Sequence, residues 1–176
     1  MHPSVMEWVE KKVQQHDLRK PALRVLEVGS RDVNGSVRPL FHGVASYTGV
    51  DFIEGPGVDL VLDAHRLTSA FPPDSFDVVV STEMLEHDSE FWTSMAMMGE
   101  VLKPGGLLLI TARGNGFWIH GYPHDYYRFL PESFNCLLRY AGCDALEVTE
   151  DWFPGHTGVF GVGRKLDRAG QPPTPQ

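Results

Sequence analysis

The stretch Val25-Leu26-Glu27-Val28-Gly29-Ser30-Arg31-Asp32-Val33-Asn34-Gly35-Ser36, read with Asp51, constrains the fold more than any other. Leu23 to Val28 is short, mostly apolar and β-branched, and it follows Pro21. Such a run predicts a strand of a parallel sheet covered on both faces. Gly29 breaks the strand, a turn rich in Gly, Ser, Asp and Asn follows, and Ser36 is placed to cap a short helix. Strand, tight polar turn and helix start are the parts of a nucleotide-type pocket with backbone N–H groups facing a ligand, and Gly29 and Ser30 are expected cofactor-binding residues. A second strand, Ala45 to Val50, ends in Asp51, where a carboxylate accepts hydrogen bonds from both hydroxyls of a ribose.

The dinucleotide fingerprint itself is absent: Arg31 and Asn34 stand where G-x-G-x-x-G needs glycine. Without those glycines a pyrophosphate cannot approach the backbone of the turn. Glu27, a carboxylate just before the turn, repels phosphate and suits a cation such as an amino-acid ammonium. The expected ligand is a nucleoside carrying positive charge, a description that S-adenosyl-L-methionine fits. Arg31 can pair with the ligand's carboxylate through its forked guanidinium, and Phe52 is placed to stack on adenine.

Val25–Gly29, Gly49-Val50-Asp51, Leu62-Asp63-Ala64, Phe76–Leu85-Glu86-His87 and Leu102-Lys103-Pro104-Gly105-Gly106 occur in the order seen in class I S-adenosylmethionine-dependent methyltransferases. Over roughly Leu23 to Arg164 the chain resembles the small, single-domain branch that methylates small molecules. The resemblance implies a three-layer, Rossmann-like, doubly wound α/β fold with a seven-stranded sheet, mostly parallel with an antiparallel edge strand. It also implies that Asp63 accepts the adenine amino group and the Ala64 amide meets a ring nitrogen. Arg31 and Val33 depart from the family, which usually has glycines there.

Length predicts one domain, residues 1–164, with a Pro- and Gln-rich tail at 165–176. A net charge of −8 disfavours a nucleic-acid partner, whose phosphates demand a basic face. No apolar run is long enough to span a membrane, no signal-type stretch opens the chain, and two cysteines make no disulfide framework. A cytoplasmic setting is the expectation, and the oligomeric state is not legible.

Further along, Ser4 to Lys20 predicts an amphipathic helix with Val5, Trp8, Val9 and Val13 on one stripe. Val58 to Leu62 predicts a third, buried strand, with a helix at His65–Ala70. Phe76 to Ser81 predicts the central strand, and the backbone from Ser81 to Glu83 is expected to line the methionine part of the ligand. Asp88 can cap a helix from Ser89 to Leu102, stopped by Lys103-Pro104-Gly105-Gly106. Leu107 to Ala112 reads as a fifth strand, and a helix opens at Pro131 and closes at Gly142. Asp144–Thr149 and Thr157–Gly163 read as an antiparallel edge pair, joined by a loop with Trp152, Pro154 and Gly155.

Arg113 to Leu130 is long for a connection and rich in aromatic residues, so it reads as the substrate-binding insertion. Trp118, Tyr122, Tyr126, Tyr127 and Arg128 are expected to hold a small-molecule acceptor, most simply one methylated on oxygen. His124, Asp125 and His87 are the candidate bases for deprotonating it. His120, His124 and Asp125 include ligand types for a metal, yet Gly121 and Pro123 break the helix that would align two histidines, so no metal is expected. The rival readings are a non-catalytic module that binds the nucleoside and a nicotinamide-dependent reductase, the latter disfavoured by the missing glycines.

Overall fold

The computed structural model describes residues 2–121, 123–151, 153, 155 and 157–167. Trp152, Pro154, Tyr122 and the tail from residue 168 onward lie outside them. The elements in order are α1 (Pro3–Gln15), β1 (Arg24–Val28), β2 (Ser46–Asp51), β3 (Leu60–Val61), β4 (Phe76–Thr82), α2 (Phe91–Val101), β5 (Leu102–Arg113), α3 (Pro131–Tyr140), β6 (Cys143–Asp151) and β7 (Gly158–Lys165). They form one seven-stranded sheet in the order β3-β2-β1-β4-β5-β7-β6. The pairs from β3 to β5 are parallel, and β7 runs antiparallel to both β5 and β6.

The alternation of β1, β4 and β5 explains the layers. Leu26, Val79, Leu108 and Ile110 enter one core with Met95 and Met98 of α2 and Phe134 and Leu138 of α3. Val25, Val78, Val80, Leu107 and Leu109 enter the other with Val5, Trp8, Val9 and Val13 of α1. Both sets are buried, so the central strands read as unbroken apolar runs. Two polar links hold α1 down beyond its apolar stripe. Lys12, 1% exposed, pairs with Glu147 of β6 at 2.5 Å, and Ser4 Oγ donates to Asp151 at the far end of the same strand. These fix the N-terminus of α1 over the carboxyl-end edge of the sheet.

Several elements differ from the sequence expectations. No α-helix follows the first turn; a 3₁₀ turn at Arg38–Phe41 stands there, and Ser36 Oγ accepts the Arg38 amide at 3.1 Å. The third strand is only Leu60–Val61 and is not buried, because it is the outermost strand and no helix covers it; Val61 is 53% exposed. The predicted helix at His65–Ala70 is a 3₁₀ segment at Ala64–Ser69. Helix α2 stops at Val101 and the Lys103-Pro104-Gly105-Gly106 segment belongs to β5, where a register shift accommodates it. Asp88 does not cap α2: it accepts the Glu90 amide and the Ser94 hydroxyl, and the helix begins at Phe91. Helix α1 ends early because Asp17 adopts a left-handed backbone (φ 52°). Lys165 closes β7, with Nζ on the Ala141 carbonyl, so ordered structure reaches into the expected tail.

Gly99 is where α2 meets the end of α3: a Cβ there would sit 2.2 Å from the Ala141 carbonyl oxygen. Alanine ordinarily stabilises a helix interior by ~1 kcal/mol over glycine. Here overpacking against backbone is expected to reverse the sign, so Gly99→Ala should lose about 1–3 kcal/mol in urea denaturation. A more stable variant would refute this packing.

Candidate functional site

The chain runs from β1 outward to β2 and β3, then returns to β4 on the other side of β1. The carboxyl ends of β1 and β4 therefore diverge into loops that travel in opposite directions and leave a crevice between them. A cavity of about 410 Å³ occupies it, within the range of roughly 300–1,000 Å³ common for small-ligand sites.

One half of the cavity is built from β1, β2 and the end of β4. Glu27, Gly29, Ser30, Arg31, Asp51, Phe52 and Glu83 line it, together with Val33, Asn34, Gly35, Ile53 and Thr82. Gly29 takes φ 79°, and a Cβ on it would strike Met84 at 2.7 Å, so only glycine turns the chain here. The amides of Gly29 and Ser30 both donate to the Val50 carbonyl, which ties the turn to β2. Asp51 accepts the Arg31 amide at 3.2 Å and the Ile53 amide at 3.0 Å. Its carboxylate is thereby oriented while lone pairs remain for a ligand's hydroxyls. Phe52 leaves an apolar ring 59% exposed beside it. Glu27 is 2% exposed and accepts the Tyr47 hydroxyl at 2.8 Å. Burial pushes its carboxyl up to about 7, against the lowering effect of that hydrogen bond. The same burial, with Glu27 beside it, drives the Tyr47 hydroxyl far above its ordinary range.

The other half is built from the start of α1, the turn after β4 and the loop after β5. His2, Pro3, Met84, His87, Arg113, Phe117, Trp118 and His120 line it. Glu83 adopts a left-handed backbone (φ 57°) and is held by the Thr111 hydroxyl and an ion pair with Arg113. The Arg113 guanidinium lies 4.5 Å from the Phe117 ring, which stacks on Trp118 at 4.2 Å. Burial lowers Arg113 to about 10.

Not every expected site residue reaches the cavity. Ser81 is fully buried within β4, and the lining passes instead to Thr82, Glu83 and Met84. Asp63 and Ala64 lie outside the lining; Asp63 accepts the His65 amide at 2.9 Å, as a cap. The His124 side chain is exposed and away from the cavity, and its backbone carbonyl accepts from His87 Nδ1 at 2.5 Å. Asp125, expected as a base, lies outside the cavity lining. It takes a two-pronged pair with Arg128 at 2.5 and 2.6 Å and the His120 amide at 2.7 Å. The guanidinium, above all, holds its carboxyl far below the usual range. Tyr126, Tyr127 and Arg128 order the loop from behind: the Tyr126 amide donates to Glu86, the Tyr127 hydroxyl to Ser89, and Arg128 to the Phe117 and Trp118 carbonyls. Of the five expected acceptor-binding residues Trp118 lines the cavity, and Tyr122 lies outside the described residues. His120, weighed in sequence only as a metal ligand, lines the cavity, whereas His124 and Asp125 do not join it there.

Glu86 is fully buried behind this wall, and the backbone N–H groups of Glu86 and Arg113 draw its carboxyl down against the effect of burial. Its Oε1 is 3.8 Å from His87 Nε2 and 4.0 Å from His120 Nε2. Burial pushes the carboxyl up to about 8.

Residues 26–110 match a family model described as a methyltransferase domain. A ubiquinone biosynthesis O-methyltransferase of Thiobacillus denitrificans is 27% identical, over 95% of this chain and 82% of the relative. The corresponding enzyme of Nitrosospira multiformis is 29% identical over 56% of this chain and 48% of its own length. The chain thus spans about half the length of some of its curated relatives. Among solved structures, the Burkholderia thailandensis 1,6-didemethyltoxoflavin-N1-methyltransferase, with 1,6-didemethyltoxoflavin and S-adenosylhomocysteine bound, superposes with a TM-score of 0.74. It is 20% identical, over 92% of this chain and 78% of that one. The [4+2]-cyclase SpnF superposes with a TM-score of 0.69 at 18% identity, over 91% and 81%.

Two buried acids with raised carboxyl values set a pH dependence of stability. Between the ordinary 4.5 and about 7 for Glu27 or about 8 for Glu86, the folded protein keeps protons that the unfolded chain releases. Unfolding free energy therefore falls as pH rises through that window. The thermal midpoint of the ligand-free protein is expected to drop from pH 5 to pH 8, and Glu86→Gln to flatten the drop. A midpoint that climbs over this range would contradict the burial described.

Proposed function

We propose that this chain, a class I S-adenosylmethionine-dependent methyltransferase by its fold and its methyltransferase domain, moves the methyl group to an oxygen of a small-molecule acceptor. The observation that carries the reading is the pair of acids on the two sides of one turn. Asp51 at the end of β2 suits a ribose, and Glu27 at the end of β1, ionised, suits an ammonium. Phe52 offers a face for adenine. The fit extends to the absence of a glycine path for pyrophosphate, which speaks against a nicotinamide-dependent reductase.

Held by Asp51, Phe52 and Glu27, S-adenosylmethionine would supply an electrophilic methyl group and a neutral sulfide leaving group to an acceptor oxygen. The chain's own work is alignment, exclusion of water and proton removal. Phe117 and Trp118 offer apolar faces to the acceptor, and α1 covers the crevice through His2 and Pro3. His87 is the base. Its Nδ1 faces a carbonyl, which only accepts, so the neutral ring carries its proton there and presents a bare Nε2. That Nε2 takes the acceptor's hydroxyl proton. Oxygen as the acceptor atom is supported by the names of the curated relatives.

A second reading, a module that binds the nucleoside without methyl transfer, is favoured by Arg31 and Val33 in the turn and by the cyclase that shares this fold. Retained cofactor affinity without release of S-adenosylhomocysteine across a panel of phenols, quinols and sugars would select it.

Calorimetric binding of S-adenosylmethionine tests the shared premise. Asp51→Ala should weaken it at least about tenfold, the loss expected for a charge-assisted hydrogen-bond pair. Glu27 must be ionised to hold the ammonium, so affinity should fall as pH drops below about 7. Glu27→Gln should remove that pH dependence without lowering the thermal midpoint at pH 8. Wild-type affinity in Asp51→Ala would refute the ribose assignment.

A further inference from the structure

The acid near the end of β1 does not stand alone. Val25 and Glu27 pair in register with Tyr47 and Gly49 of β2, so Tyr47 and Glu27 project from one face of the sheet. Gly49, directly beside Glu27, has no side chain to stand between them, and none fits: a Cβ there would lie 2.3 Å from the Gly57 carbonyl oxygen. The Tyr47 hydroxyl reaches across and donates to Glu27 Oε2 at 2.8 Å. Oε1 takes no hydrogen bond among the described residues, and Glu27 lines the cavity, so Oε1 is the oxygen left for a ligand.

The tyrosine is itself fixed in place. Its ring centroid lies 5.6 Å from that of Phe41 and 5.0 Å from the Arg38 guanidinium carbon. Arg38 also donates to the Tyr47 carbonyl at 3.3 Å and pairs with Asp59 at 2.9 Å. Asp59 in turn accepts the Gly49 amide at 2.7 Å. β2 is thereby pinned at both residues that set the reach to Glu27. Burial and the neighbouring Glu27 oppose ionisation of the phenol, so it remains a donor.

We infer that Tyr47 is a positioning residue for the cofactor: its hydroxyl holds Glu27 Oε2, stabilises the ionised carboxylate and leaves Oε1 turned toward the cofactor's α-ammonium. The inference rests on the reading above of Glu27 as the partner of that ammonium. Its consequence is selectivity. A ligand that carries the ammonium offsets the cost of ionising a buried acid, whereas one with adenosine and sulfur but no ammonium leaves Glu27 neutral. Burial is the chief influence raising the Glu27 carboxyl, and Asp32 in the turn after β1 and Asp59 before β3 add to it. The Tyr47 hydrogen bond and Arg38 draw it down. On the β4 side the register partner of Glu27 is Val80, which brings no charge. Without the hydroxyl, burial is opposed by Arg38 and no longer by a donor, so the carboxyl titrates higher.

Calorimetric titration of the full chain with S-adenosylhomocysteine and with 5′-methylthioadenosine, from pH 6 to pH 9, separates this role from a structural one. Tyr47→Phe keeps the ring against Phe41 and Arg38 and removes only the hydroxyl. The Glu27 midpoint, read from the carbon-13 resonance of its carboxyl in the ligand-free chain, should rise by about one pH unit from about 7, a tenfold change in proton affinity. S-adenosylhomocysteine should bind Tyr47→Phe about eightfold more weakly than wild type at pH 6.5 and within about twofold at pH 9, where both carboxyls are ionised. The ligand's own titration is common to both proteins and cancels in that ratio. 5′-methylthioadenosine should bind both proteins alike at every pH. In a Glu27→Gln background, Tyr47→Phe should leave S-adenosylhomocysteine affinity unchanged. A loss equal at all pH values, a loss shared by 5′-methylthioadenosine, a loss that persists with Glu27→Gln, or an unmoved Glu27 midpoint would overturn the inference. A wild type that binds neither ligand would refute the cofactor reading instead, and the Glu27 midpoint would still decide whether Tyr47 acts on it.

Discussion

Covering both faces of β1 and β4 is the constraint from which the rest of the structure follows. Strands buried on two sides must be apolar along their length, so polar function is expelled to their ends. The order of winding then decides which end matters. Chain leaving β1 goes one way and chain leaving β4 the other, and the carboxyl ends of both strands open into the crevice. Glu27 is the exception inside β1, an acid held within the sheet, where it accepts the Tyr47 hydroxyl. The cost of that burial is a carboxyl value near neutrality and a protein less stable at the pH where the acid is ionised.

The same logic applies across the cavity. Glu86 sits on a short 3₁₀ turn, Leu85–His87, at the end of β4, and the long loop after β5 folds over it. Asp125 and Arg128 close that loop on itself, and the amides of Tyr126 and Tyr127 reach the Glu86 carbonyl. The aromatic content of the segment serves packing as much as recognition: Tyr127 and Phe129 both meet Phe91 of α2 edge-on. What the loop delivers to the cavity is its first part, Phe117 to His120.

Much of the cavity's β1–β2 half was legible in the sequence because each signal was local. A strand ending in glycine, a second strand ending in aspartate and an acid just before the first turn are adjacent or nearly so along the chain. Glu27, Gly29, Ser30, Arg31, Asp51, Phe52 and Glu83 all line the cavity. Ser81 missed by one residue, since a strand's length cannot be read to that accuracy. Asp63 and Ala64 were assigned by family resemblance, and the local physics of an N-cap holds the side chain elsewhere. The acceptor half was less legible because it is made by contacts across the chain. Nothing near His124 in sequence says that its carbonyl, and not its ring, meets His87. Nothing near Asp125 says that Arg128 will occupy both its oxygens. The signal that was available for His120 was its distance from the end of β5, and for Arg113 its place as the last residue of that strand.

The account stands on an adenosine with a positively charged sulfur seated in this crevice. The most direct measurement is a crystal structure of the chain with S-adenosylhomocysteine. The account predicts ribose hydroxyls on the Asp51 carboxylate, adenine against Phe52 and the amino group beside Glu27. An empty crevice at saturating ligand, or one filled by the Arg31 side chain, would contradict it.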